Sequence, residues 1–158
     1  MPINYKKYDE NGNVLLTSNT FYINGFIVLL KVTTVSNKFS LLSATAPNLV
    51  LYTGASYIFD TTGFFNTEHQ FRISSTPDGI WNGGSVHPEM EIYDNFILFN
   101  PKTSGTFYYY CENHPNMGGV IKVENQSVNQ LLQQKPSYVN ENLLTGDIST
   151  LLSGGIYL

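Results

Sequence analysis

The sequence predicts an all-β domain, and three observations support that prediction. Aromatic residues make up 14% of the chain, with 11 Tyr and 10 Phe, whereas charged residues make up only 13%. Aromatic and β-branched side chains favour strands. Short runs of such residues alternate with Asn-Gly and Thr-Gly pairs, which favour tight turns between strands. At 158 residues the chain is long enough to bury a core as one domain.

Residues 1–45 are predicted to form N-terminal β-hairpin strands. Asn11-Gly12 and Asn24-Gly25 are both pairs that favour type I′ hairpin turns. The runs 21–23 and 26–30, on either side of the second pair, are rich in β-forming residues. We expect some of these strands to join the β domain that follows and others to form a separate ribbon.

Further strands and turns are predicted from residue 49 onwards. Residues 49–60 contain two strands about a Thr-Gly turn. Phe64 and Phe65 follow in a loop, where they either plug the end of a sandwich or cover a site there. Residues 76–84 are turn sequence, and we expect Trp81 to anchor this loop on the body of the domain, with an interface as the alternative.

The residues of greatest chemical interest lie at the end of the strand predicted over 107–111 and in the loop after it. Cys111, the only cysteine, is its last residue, and His114 and Met117 follow at intervals of three. Two glycines then let the backbone approach closely before a final strand. A thiolate, an imidazole and a thioether are soft ligands that copper selects, and a trigonal His₂Cys set with a long axial Met is the blue-copper arrangement.

A second histidine ligand has to come from elsewhere in the chain. His69 is followed at every second residue by Phe71 and Ile73, so the three would share the core-facing side of a strand. His87 lies in turn-rich sequence, where a solvent-exposed histidine is expected. We therefore predict a copper site, with zinc as a substitute ion. The predicted ligands are His69, Cys111, His114 and Met117.

The alternative is that these side chains are structural, since Met fills gaps in cores and a buried Cys packs as a small apolar residue. Against it stands a family resemblance. The spacing Cys111-x₂-His114-x₂-Met117 between two strands resembles that of the cupredoxins, and the short loop is similar to the amicyanin type. Three segments, 48–60, 69–79 and 107–119, also resemble, in the same order, a cupredoxin-like module of aquatic bacteriophage structural proteins.

This resemblance implies a Greek-key β-sandwich over residues 46–123. In cupredoxins the final hairpin holds three of the four metal ligands, and the resemblance implies the same arrangement here. Residues 1–45 would be an N-terminal β extension, and residues 124–158 a C-terminal arm.

The C-terminal arm, residues 124–158, differs in composition from the rest of the chain. It is rich in amides up to Pro136, and leucines then recur among Ser, Thr and Gly. Asp147 is placed to cap a single helical turn. Such a tail cannot bury its leucines by itself. We expect it to lie against its own domain or against a neighbouring subunit.

Composition excludes several classes of function. A formal net charge of −4, spread thinly, offers no patch for nucleic acid or an anionic membrane. We find no phosphate-binding loop and no nucleophile with an apparent base and orienting partner, so we do not expect an enzyme. The single cysteine excludes an intramolecular disulfide.

Two hypotheses about function remain. The phage resemblance implies a structural subunit of a virion, which would contact other subunits through residues 124–158 and the N-terminal strands. The alternative is a soluble blue-copper electron carrier, located inside or outside the cytoplasm. The leucine-bearing tail and an N-terminus without an apolar leader favour the virion subunit.

Overall fold

A computed structural model of the chain describes residues 5–8, 14–18, 20–22, 26–64, 68–125 and 143–145, with side chains over 28–64 and 68–125. A 3-10 helix spans Gly79–Asn82. The strands, in chain order, are β1 (Tyr5–Tyr8), β2 (Val14–Ser18), β3 (Thr20–Tyr22), β4 (Phe26–Lys31), β5 (Thr33–Val35), β6 (Lys38–Leu41), β7 (Ala44–Thr45), β8 (Leu49–Tyr52), β9 (Ala55–Asp60), β10 (Phe71–Ser74), β11 (Met90–Tyr93), β12 (Phe96–Phe99), β13 (Gly105–Cys111), β14 (Gly119–Glu124) and β15 (Leu143–Thr145).

Two sheets pack against each other to form the body of the molecule. The six-stranded sheet has the order β2-β1-β11-β12-β9-β4, and the four-stranded sheet has the order β10-β13-β14-β8. Successive strands repeatedly change sheet, between β8 and β9, β9 and β10, β10 and β11, and β12 and β13. Such crossings between layers build a Greek-key sandwich. The predicted all-β sandwich is therefore confirmed.

The core lies between the two sheets. Phe59 of β9 stacks on Phe71 of β10 with ring centroids 4.9 Å apart, and Phe71 stacks on Tyr109 of β13 at 5.5 Å. All three rings are fully buried. In β8 burial alternates, because Leu49 and Leu51 face this core and the residue between them is exposed.

The strands on either side of Asn24-Gly25, for which a hairpin was predicted, do not pair with each other. The strand before this pair, β3, lies beside β15, whereas the strand after it, β4, runs parallel to β9 at the edge of the six-stranded sheet. Val28, Leu29 and Leu30 of β4 are all completely buried. A strand that is apolar on both faces is more stable when it is covered on both faces than in an exposed ribbon. The tertiary pairing therefore overrides the local turn preference.

A separate three-stranded sheet, the β5–β7 ribbon, is built on two tight turns. Ser36 and Asn37 have φ of 49° and 63°, and Leu42 and Ser43 have φ of 54° and 60°. Two consecutive positive φ values are what type I′ hairpin turns require. The ribbon delivers the fully buried ring of Phe39 to the core.

Residues 143–145 of the C-terminal arm lie against the N-terminal region of the same chain. β15 pairs antiparallel with β3, with Leu143 opposite Tyr22. Residues 126–142 and 146–158 of the arm, with Asp147 among them, lie outside the described residues, so the helical turn and the contacts with other subunits stay predictions. Phe65 also lies outside the described residues. Within the described part of the chain, no helix is long and apolar enough to span a membrane.

His87 is buried, so the expectation that it would be exposed is wrong. It is only 7% exposed and lies edge-on to the rings of Phe99 and Phe107, at 5.5 and 4.7 Å between centroids. Its backbone N–H donates to the Ile73 carbonyl at 2.7 Å, which ties this turn-rich segment onto β10. The Glu89 N–H donates to His87 Nδ1 at 3.0 Å.

The second turn of the ribbon offers a test of backbone strain. Leu42 and Ser43 adopt the left-handed conformation, which costs a residue other than Gly or Asn about 1 kcal/mol or more. We expect the double substitution Leu42→Asn with Ser43→Gly to raise the free energy of unfolding by about 1 kcal/mol. Chemical denaturation measures this. Val35→Asn, which removes an exposed apolar side chain from a strand, is the matched control and should not stabilise the protein.

Burial of His87 predicts how stability depends on pH. Desolvation lowers the pKa of His87, and the nearby Glu89 carboxylate opposes this only in part. Because the unfolded chain then binds the proton more readily, the stability contributed by neutral His87 is present above about pH 6.5 and is lost as the pH falls below it. His87→Gln should therefore lose less stability than the native chain between about pH 7 and about pH 5. Equal losses in urea titrations at the two pH values would contradict this.

Candidate metal centre

Cys111 is the last residue of β13, at one end of the four-stranded sheet. β13 is paired on both sides, with β10 and with β14. In the β10 pairing, Cys111 stands opposite Phe71, and the cysteine side chain is completely buried. The strand is therefore held on both sides up to Tyr109, and its last residue, Cys111, is held by β10 and lies inside the protein.

His69 lies just before β10 and is brought to Cys111 by the register of that strand. The Glu112 N–H donates to the Gln70 carbonyl at 3.0 Å, which continues the β10–β13 pairing one step beyond Phe71. His69 Nδ1 consequently lies 3.9 Å from Cys111 Sγ. His69 itself is in a bend, so the predicted strand face begins only at Phe71.

Two phenylalanines cover the half-buried His69. The rings of Phe39 and Phe64 lie edge-on to its imidazole, with centroids 6.5 and 6.0 Å away. Phe39 comes from the β5–β7 ribbon and Phe64 from the loop after β9, and both are buried. Of the two roles considered for Phe64, the structure supports both, since this ring packs in the core and also covers His69.

His114 completes a cluster of three ligand atoms. It is exposed, and its Nδ1 lies 3.7 Å from Cys111 Sγ. The rings of His69 and His114 are 5.0 Å apart, and the three ligand atoms all lie within 4.8 Å of one another. The structure thus brings together three of the four predicted ligands.

The spacing of these atoms suits a metal ion. Bonds of about 2.3 Å to sulfur and about 2.0 Å to nitrogen, meeting at about 120°, place the two ligand atoms about 3.7 Å apart. The observed Sγ–Nδ1 distances of 3.7 and 3.9 Å agree with that value. A thiol can donate its proton to one imidazole and accept a hydrogen bond from the N–H of the other. A metal ion bound between these atoms would instead engage the sulfur and both Nδ1 atoms together.

Met117, the fourth predicted ligand, is buried at the far end of the loop that begins at Cys111. It is 1% exposed and belongs to the same core cluster as Cys111 and Phe39. Its carbonyl accepts a hydrogen bond from the Phe39 N–H at 2.9 Å. Ligation by the Met117 thioether stays a prediction.

Charged and polar groups that the sequence analysis did not single out hold the loop between Cys111 and Met117 in place. Lys38 Nζ donates to the Asn116 carbonyl. Asn113 Nδ2 donates to the Glu68 carbonyl at 3.0 Å. Lys38 and the Glu68 carbonyl lie far from the loop in sequence, so no local pattern could have identified these two contacts.

Arg72 of β10 and Glu112, the residue after Cys111, form a largely buried ion pair. Arg72 Nε lies 3.3 Å from Glu112 Oε2, and the Arg72 side chain is 4% exposed. Burial lowers the pKa of the Arg72 guanidinium, and the Glu112 carboxylate opposes this shift. Removal of either partner would leave a buried charge uncompensated next to the cysteine.

Two glycines after Met117 permit the tight return of the chain. A Cβ atom on Gly118 would lie 1.6 Å from the Tyr109 carbonyl oxygen, and one on Gly119 would lie 2.7 Å from the Tyr109 hydroxyl. That hydroxyl donates to the Pro47 carbonyl at 2.7 Å. The expected close approach at this glycine pair is therefore confirmed.

Gly118→Ala tests this close approach. Since its Cβ would overlap a backbone carbonyl of β13, we expect a loss of about 3 kcal/mol or more in the free energy of unfolding. Gly63→Ala is the matched control, because a Cβ there would meet nothing within 4 Å. Equal denaturation midpoints for the two variants would contradict the close packing of the loop on Tyr109.

Comparisons with known proteins yield distant structural similarity alone. No protein-family model matches the chain, and no curated protein matches it. Reduced rusticyanin is 21% identical with a TM-score of 0.41, over 65% of this chain and 82% of that protein. Rusticyanin from Thiobacillus ferrooxidans is 20% identical with a TM-score of 0.41, over 64% and 79%.

A structure of rusticyanin variants gives similar values, with 20% identity and a TM-score of 0.42 over 69% of this chain and 84% of the other. Rusticyanin is a copper protein. Values this low describe a distant likeness. The β-sandwich and the His–Cys–His cluster described above therefore rest on this chain's own strands and distances.

Proposed function

We propose that this chain is a cupredoxin-like electron-transfer protein that binds one copper ion in a type-1-like site. The proposed ligands are His69, Cys111, His114 and Met117. The observation that carries the proposal is the triangle of Cys111 Sγ and two Nδ1 atoms at one end of a β-sandwich. Thiolate and imidazole ligands favour copper among the first-row ions, and zinc is the competing ion.

A copper ion held by these ligands supplies a one-electron couple between Cu(I) and Cu(II). Cys111 has to lose its proton in order to bind, because the thiolate is the form that ligates. Its complete burial keeps water away from the sulfur. This burial also protects the thiolate from oxidation by reagents in solution.

The ligands are held by backbone pairing, so little movement is needed when the charge at the site changes. Cys111 is fixed by its pairing with Phe71 of β10, in a strand that β14 also holds up to Tyr109, and His69 is tied to it through the hydrogen bond from Glu112 to Gln70. A site that is organised before the reaction does not have to rearrange during it. This rigidity suits transfer of a single electron.

His114 is the side chain through which an electron partner would approach. It is exposed, whereas His69 is covered by Phe39 and Phe64 and Cys111 is completely buried. The exposed imidazole edge therefore gives the shortest route from the cluster to the surface of the described residues. We accordingly place the electron entry and exit point at His114.

The expected role as a structural subunit of a bacteriophage particle stays a prediction from the resemblance. None of the comparisons named above bears on a virion location or on subunit contacts. Most of residues 124–158, through which those contacts were expected, lies outside the described part of the chain.

Copper titration tests the proposed function directly. Added Cu(II) should produce one equivalent of an intensely coloured complex, because charge transfer from the Cys111 thiolate to copper absorbs visible light in a trigonal site. Cys111→Ser should abolish the colour. His87→Gln is the matched control, since this histidine lies outside the cluster, and should keep it. A coloured serine variant, or a colourless native chain after copper addition, would refute the site.

A further inference from the structure

The turn formed by residues 76–84 lies against the Cys111–Met117 loop and is itself tightly held. The Gly79 N–H donates to the Thr76 carbonyl and the Gly84 N–H to the Gly79 carbonyl, each at 2.9 Å. Asn82 Nδ2 donates to the Pro77 carbonyl at 2.7 Å. These internal hydrogen bonds give the turn a fixed shape of its own.

The turn rests directly on the residue that precedes the cysteine. Gly79 has a φ of 53°, and a Cβ atom there would lie 2.4 Å from the ring of Tyr110. Tyr110 is completely buried, so its ring cannot move away easily. Only glycine allows the turn to approach β13 this closely.

Two side chains of the turn make hydrogen bonds to the two ends of the loop. Trp81 Nε1 donates to the Cys111 carbonyl at 2.8 Å. The Asn116 N–H donates to the Asp78 carboxylate, at 3.0 Å to one oxygen and 3.1 Å to the other. Bonds to a charged acceptor are stronger than neutral ones. The two contacts thus fix Cys111 at the start of the loop and the residue before Met117 at its end.

The exposure of Trp81 agrees with such a role. Its indole ring is 44% exposed, so burial of apolar surface explains only part of its position. The indole N–H makes the contact with the body of the domain, at the Cys111 carbonyl. Trp81 does contact the body of the domain, as predicted, but through a hydrogen bond and not through burial of its ring.

Neither side chain is among the proposed ligands, because both contact the loop through its backbone. We propose that Asp78 and Trp81 are positioning residues that hold the Cys111–Met117 loop in the geometry that a trigonal copper site needs. This inference rests on the proposed function. Groups that orient metal ligands from outside change metal affinity by about 10- to 100-fold when they are lost.

The test uses the full chain with Trp81→Phe, which keeps an aromatic ring without the N–H donor, and Asp78→Ala. Asp78→Asn retains an acceptor oxygen and should fall between Asp78→Ala and the native chain. Ile80→Ala is the control for loss of an exposed apolar side chain of the same turn, at 39% exposure. Asp94→Asn is the control for loss of one negative charge.

The first measurement needs no metal. In the metal-free protein, hydrogen exchange at the Asn116 amide, followed by NMR, should become about tenfold faster or more in Asp78→Ala, because that amide loses its acceptor. Amides in the middle of β13 should keep their native exchange rates. Native exchange at Asn116 in Asp78→Ala would overturn the proposal whether or not the protein binds copper.

The second measurement uses Cu(II) alone as the probe. Trp81→Phe and Asp78→Ala should release copper to a chelator about tenfold faster or more than the native chain, with a shifted visible spectrum. Ile80→Ala and Asp94→Asn should match the native chain in both respects. If the native chain forms the coloured complex but the two test variants behave as the controls do, the positioning role is refuted while the copper site stands.

Discussion

The antiparallel pairing of β10 with β13 places Phe71 opposite Cys111, and the position of His69 follows from that register. A slip of one residue would turn each side chain of β10 to the opposite face of the sheet. Phe71 would then leave the core, and the imidazole just before the strand would lose its place beside the thiol. Burial of Phe71 between Phe59 and Tyr109 opposes such a slip. Core packing therefore holds the site together.

The aromatic side chains serve the fold and the site at the same time. Phe39 packs against Phe71 and Phe64 in the core and also lies edge-on to His69. Phe39 comes from the β5–β7 ribbon, and its backbone N–H donates a hydrogen bond to the Met117 carbonyl. The ribbon is consequently part of the wall of the site. A change in its turns would reach His69 and Met117 through Phe39.

Polar contacts complete the surroundings of the cluster, and they come from distant segments. The Arg72–Glu112 pair lies on one side of Cys111, and the turn that carries Asp78 and Trp81 lies along the loop. The Arg72 side chain is only 4% exposed, so the loss of its partner would cost more than on the surface, whereas Asp78 and Trp81 add hydrogen bonds that are partly exposed. These contacts hold the Cys111–Met117 loop in a defined shape, although the loop is short and its His114 is exposed.

Short-range patterns were enough to establish several features of this protein from its sequence. Aromatic runs and turn pairs predicted the strands, and the intervals of three from Cys111 to His114 and Met117 are a property of the chain itself. The tertiary structure alone decided the pairing of β4 with β9 in place of β3, the burial of His87, and the hydrogen bonds between the loop and the side chains of Asp78 and Trp81. Strand periodicity and turn propensity are local, whereas these features depend on register between segments far apart in the chain, which core packing selects.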